Sequence, residues 1–195
     1  MAIYELDGVA PRIDAEAFVH PDAVVIGDVT VGAESTVWAG TVLRGDFGTI
    51  TVGARSSIQD GTVVHAGPGF PTIVGDGCVV GHLTHLEGCR LEDDALAGSC
   101  SVVLHHAGVG AGATVAATAE VPNNMVVPRG ALAIGIPARI VEGRSDVSFI
   151  RLSAAEYVAN GKRYRATLRR LDGPAARRAT SSSWSRPGRR RGSVQ

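Results

Sequence analysis

Aliphatic or small residues recur every six positions along this chain. Val25, Val31, Val37 and Leu43 form the first run. After three extra residues the register resumes at Val52, Ile58 and Val64, and after four more at Val74, Val80 and Leu86. One position is then lost, and Leu91, Ala97, Val103, Val109, Val115 and Val121 follow. Gly often comes next, as in Val31-Gly32, Val74-Gly75 and Val109-Gly110. A period of six fits neither the α-helix nor the heptad. It also departs from the two-residue alternation of short sandwich strands. It fits a parallel β-helix, an all-β solenoid of hexapeptide units, three units to a triangular coil. The recurring aliphatic points inward and stacks on its equivalents at the strand spacing of about 4.8 Å.

Composition agrees with such a core. Aromatics are 5% of the 195 residues, and Gly numbers 25. No apolar run is long enough to suggest a transmembrane helix. The start, MAIYELDGVAPRID, lacks the basic-then-apolar layout of a secretory signal. Cys78, Cys89 and Cys100 form no CxxC and leave one thiol over, which reads as reduced thiols in the cytoplasm. Cys89 and Cys100 are expected to fill tight interior space.

Net charge is zero, but unevenly spread. Residues 173–195 hold Arg177, Arg178, Arg186, Arg189, Arg190 and Arg191 with no acid, leaving −6 on the rest. Rich in Gly, Pro, Ser and Arg, that segment reads as a disordered basic tail. A solubilising extension is the expected role, not a nucleic-acid arm. The coils are expected over residues 1–140, loosening between Pro122 and Pro137. A C-terminal α-helix is expected within 141–172, starting near 146 and packing on the coils. Ser145 or Asp146 would cap it and Gly173-Pro174 would stop it. Its stripe would be Phe149, Leu152, Tyr157, Tyr164, Leu168 and Leu171, with Gly161 weakening the middle.

The register also places polar residues. Arg44, His65 and Glu87 each follow an inward aliphatic on the same face of successive coils. Side chains alternate along a strand, so the three should form an outward ladder. Asp60 and His82 share another register position one coil apart, with Gln59 beside them. His65 and Glu87 are close enough to hold one metal ion, whereas His82 reaches such a site from a neighbouring chain. This predicts a cyclic trimer with a metal site at each interface. Two His and one Glu are a catalytic zinc set. His85, three residues from His82, falls at a corner and is not expected to replace a missing ligand; His105 and His106 lie about one coil further along, and a structural or solvent role is expected for His105.

Residues 25–140 resemble the γ-class carbonic anhydrase family through LRGD (Leu43 to Asp46), IQDG (Ile58 to Gly61), VVH (Val63 to His65) and VGHLTHLEGC (Val80 to Cys89). The resemblance implies left-handed winding, a homotrimer, and Zn2+, Fe2+ or Co2+ at the interfaces. It implies a zinc lyase that hydrates CO2 to bicarbonate. The family's first two metal histidines match His65 and His82. Its third falls on Glu87, a departure from the pattern. Arg44 and Asp46 match an intersubunit ion pair, Gln59 and Asp60 a pair near the reacting water, and Tyr157 a helix tyrosine that approaches the site. The loop AGPGFPTI (66–73) has no acid or His where some members carry a proton-shuttling Glu. Together with the Glu at 87, this implies slow turnover. The alternatives on the same fold are an acyl-CoA-dependent hexapeptide-repeat acyltransferase and a non-catalytic trimeric scaffold.

Overall fold

The computed structural model describes residues 2–172 as a left-handed parallel β-helix with one C-terminal helix. The expected tail, 173–195, lies outside the described residues. Every residue of the hexapeptide register from Val25 to Val121 is buried, none more than 1% exposed. The register continues past the run from Val25 to Val121, within the expected 1–140. Val19 precedes it, and Val127 and Ala133 are buried above it, so the supposedly loose stretch after Pro122 is a further coil. Its pattern hides in the sequence because the intervening positions carry Pro122, Asn123, Asn124 and Pro128.

Three columns of paired strands make the prism. Leu43, Val64, Leu86, Val103 and Val121 stack in one. Val31, Val52, Val74, Leu91, Val109 and Val127 stack in the second. Val19, Val37, Ile58, Val80, Ala97, Val115 and Ala133 stack in the third. The first two faces form one continuous sheet, because the strands Val24–Val31 and Val42–Val52 run around their shared edge. Along the third face all strands are parallel until Arg139–Val141, which turns back antiparallel on Leu132–Ile134.

Corners are tight. Several are made by non-glycine residues in the left-handed region, among them Leu83, Cys100 and Thr118 at φ near +60°. Buried hydroxyls inside the corners tie one coil to the next. Thr41 donates to the Gln59 carbonyl at 3.0 Å, and Thr62 to that of Gly81 at 2.9 Å. Burying these hydroxyls is tolerable because each has such a partner. The corner also settles the cysteines. Cys78 and Cys89 are buried, but Cys100 is exposed, contrary to its expected interior place, since it forms the tip of a turn.

The helix spans Val147–Thr167, with Asp146 as N-cap accepting from the Phe149 N–H at 3.0 Å. It ends before the expected limit: Leu168 is extended, its N–H closing on the Tyr164 carbonyl. It packs on the third face through Ile150, Ala154, Tyr157, Gly161 and Tyr164, at alternating spacings of four and three. Phe149 and Leu152, expected in the stripe, are exposed because they fall off this spacing. Gly161 is a contact point. A Cβ there would lie 2.6 Å from Thr36 Cγ2. Tyr157 and Tyr164 set their rings edge-on against Trp38 at 5.8 and 5.0 Å. Arg151 pairs with Asp94, Lys162 with Glu34 and Arg165 with Glu16. No helix of the described residues is long and apolar enough to cross a membrane.

Candidate metal centre

The strands Val42–Val52, Val63–His65 and His85–Glu87 lie side by side, with Arg44 beside His65 and His65 beside Glu87. All three side chains point outward because Leu43, Val64 and Leu86 point inward. Nδ1 of His65 stands 2.9 Å from Glu87 Oε1, and Nε2 stands 3.0 Å from Asp46 Oδ1. Asp46 is also bonded to Arg44 within the same chain.

The carboxylates are held ionised. The hydrogen bond from His65 pulls the Glu87 carboxyl down to about 2, against the opposing effect of burial, with His85 and His105 adding to the pull. Burial works upward on Asp46, but the Arg44 guanidinium and His65 outweigh it and keep the carboxyl below its usual range. Phe47, 64% exposed, sets its ring edge-on to His65 at 6.3 Å.

Asp60 and His82 meet on the corner before this face. Asp60 Oδ2 lies 3.1 Å from His82 Nδ1, and both side chains are half-exposed. Gln59, beside them, is buried. Tyr157 reaches the same side from the helix. Burial raises its hydroxyl above the usual phenol range, and the Asp60 charge adds to the effect. No hydrogen bond or ion pair among the described residues joins His82 to His65 or Glu87, and no group of three or more His, Cys, Asp or Glu among them converges as a metal site within one chain.

Sequence reasoning undervalued two histidines. His85 Nε2 lies 3.2 Å from Glu87 Oε2, and His105 Nε2 lies 3.5 Å from Oε1. His85 is in the strand, not at a corner. It precedes the inward Leu86, so alternation turns it outward beside Glu87, a signal already present in the spacing. The loop over 66–73 is tight: Gly67 and Phe70 exchange backbone hydrogen bonds, and Phe70 packs against His105 and His106 at 5.8 and 4.5 Å.

The donors fit a borderline divalent cation. Glu87 is ionised beside the His65 imidazole, and Asp60 occupies Nδ1 of His82, leaving its Nε2 directed elsewhere.

The chain is 42% identical over 156 residues to "Gamma carbonic anhydrase 1, mitochondrial" of Arabidopsis thaliana, a match taking in 76% of this chain and 57% of that protein. It thus spans a little over half the length of that plant relative. It is 36% identical over 166 residues to "Carbonic anhydrase" of Geobacillus kaustophilus, covering 84% of this chain and 91% of that one. Among solved structures it is similar to a putative acetyltransferase of Bacillus cereus, at TM-score 0.83 and 34% identity over 85% of this chain and 97% of the other. No family model matches the chain.

Proposed function

The chain belongs to the γ-class carbonic anhydrase family, and on that premise we propose that it hydrates CO2 to bicarbonate at a metal held between copies of the chain in a homotrimer. The observation that carries this reading is the outward pair of His65 and ionised Glu87, flanked by a corner on which Asp60 orients His82. His65 and Glu87 of one copy and His82 of a second would hold Zn2+, with Fe2+ or Co2+ as substitutes. A cation there supplies an activated water nucleophile near neutral pH.

The chain's own groups do the rest. Asp60 accepts from Nδ1 of His82 and fixes the ring's tautomer. Asp46, held by Arg44, accepts from Nε2 of His65 and leaves Nδ1, beside Glu87, to face a cation. Gln59, Asp60 and Tyr157 bring polar groups to the side where water and bicarbonate would sit. Phe47 and Leu83, both 64% exposed, supply apolar surface for a neighbouring copy.

Turnover should be slow. The carboxylate in place of a third imidazole adds negative charge and makes the water less acidic. The 66–73 loop offers Phe70 where a proton acceptor would help. Three free cysteines support a reducing compartment, the cytoplasm.

The test is CO2 hydration by stopped flow on metal-replete protein, with light scattering for the assembly state. Slow, chelator-sensitive hydration by a trimer is expected. A monomer, or metal-replete protein with no hydration above buffer, would refute the proposal. Acyl transfer from acyl-CoA, assayed in parallel, would favour the alternative suggested by the acetyltransferase-like neighbour.

A further inference from the structure

We propose that His85 and His105 are positioning residues that lock the Glu87 carboxylate in the one orientation a cation can use. The proposal deepens the metal reading and rests on it.

Glutamate is a poor stand-in for histidine in one respect. Its carboxylate swings on three rotatable bonds, and fixing such a side chain costs rotamer entropy. Here that freedom is removed before any cation arrives. Oε1 faces Nδ1 of His65 at 2.9 Å and Nε2 of His105 at 3.5 Å, while Oε2 faces Nε2 of His85 at 3.2 Å. Both oxygens are therefore held, from three directions and three successive coils.

The two extra imidazoles are themselves held. His85 lies in the same strand as Glu87, two residues before it and on the same side. His105 projects from the coil above. Phe70 packs on its ring at 5.8 Å, and its Cδ2 crowds the backbone at Gly88, where an added Cβ would lie 2.9 Å away. Phe70 in turn is fixed by the backbone bonds that close its short loop on Gly67. The loop that lacks a titratable group thus becomes the seat of His105. This one arrangement accounts for the carboxylate at 87, the imidazoles at 85 and 105, and the shape of the 66–73 loop.

The test is metal affinity, measured apart from activity. Apo full-length protein is titrated with Co2+, and the affinity is read by competition with a chelator alongside the visible Co2+ spectrum. His85→Ala and His105→Ala should each weaken Co2+ binding by about 10–100-fold and alter the spectrum, the range seen when outer partners of metal ligands are removed. The assembly state and thermal melt should stay as in wild type. His85→Gln and His105→Gln, which keep an N–H donor, should recover most of the affinity. Wild type and alanine variants that bind Co2+ equally, with one spectrum, would overturn the proposal while leaving the metal reading intact. Wild type that takes up no Co2+ would overturn the metal reading, and this inference with it.

Discussion

Asp60 sits one coil beneath His82, its Oδ2 3.1 Å from the imidazole Nδ1, and both side chains remain half-exposed on the corner. A carboxylate so placed fixes which ring nitrogen carries the proton and leaves the other free to bind. Asp60→Ala should therefore weaken Zn2+ binding by about 10–100-fold with little change in thermal stability. Chelator-competition titration measures it; unchanged affinity would show that the pair only decorates the corner.

Glu87→His should preserve or raise metal affinity, since imidazole is a good Zn2+ ligand and stands on a shorter, stiffer side chain. It should also raise the hydration rate, because the extra negative charge is gone. Metal analysis and stopped-flow assays report the two effects. Loss of metal from this variant would argue that Glu87 is no ligand.

Gly161→Ala should destabilise the protein by about 1–3 kcal/mol. Alanine gains about 1 kcal/mol of helix propensity. Yet its methyl would sit 2.6 Å from Thr36 Cγ2 and 3.4 Å from Phe18 Cβ, and overpacking of this kind outweighs the gain. Denaturant unfolding decides the sign, and a stabilised variant would mean that the helix can lift off its face at no cost.

Thr118→Gly should stabilise by about 1 kcal/mol. Thr118 is β-branched, exposed and held at φ +61°, and an L-residue there carries a penalty of about 1–2 kcal/mol that glycine escapes. Part of that gain is lost to the freer unfolded chain. A higher melting temperature is the expected result.

Among the three thiols, only Cys100 should react with a bulky thiol reagent at neutral pH. Burial pushes Cys78 and Cys89 up to about 12. The same shifts set an alkaline limit. Both folded values lie above the ordinary value of 9.0, so their contribution is whole below pH 9 and fades as pH climbs from 9 toward 12. Melting temperature should fall across that window, and less steeply in a Cys78→Ala, Cys89→Ala variant. Labelling of Cys78 or Cys89 in native protein at pH 8 would contradict their burial.

The hexapeptide period made most of this legible from the chain alone. It needs only that one residue in six be buried, and coil-to-coil translation then paired His65 with Glu87 and Asp60 with His82. What escaped was set by features with no period. His85 was placed at a corner because insertions blur where a strand begins. The helix face could not be read from hydrophobicity, since Gly161 and Ala154 carry the contact while Phe149 and Leu152 face water. Cys100 looked like an interior residue because its conformation, not its chemistry, puts it outside.

A stack of coils has two open rims, each a row of unmet amides and carbonyls able to recruit another strand. On the third face at the upper rim, the reversal of Arg139–Val141 onto Leu132–Ile134 occupies that row with a strand of opposite polarity. A second molecule arriving head-on would meet the wrong direction for continued parallel growth. The backward turn thus works as a terminator, discouraging the protein from polymerising end to end into a fibre.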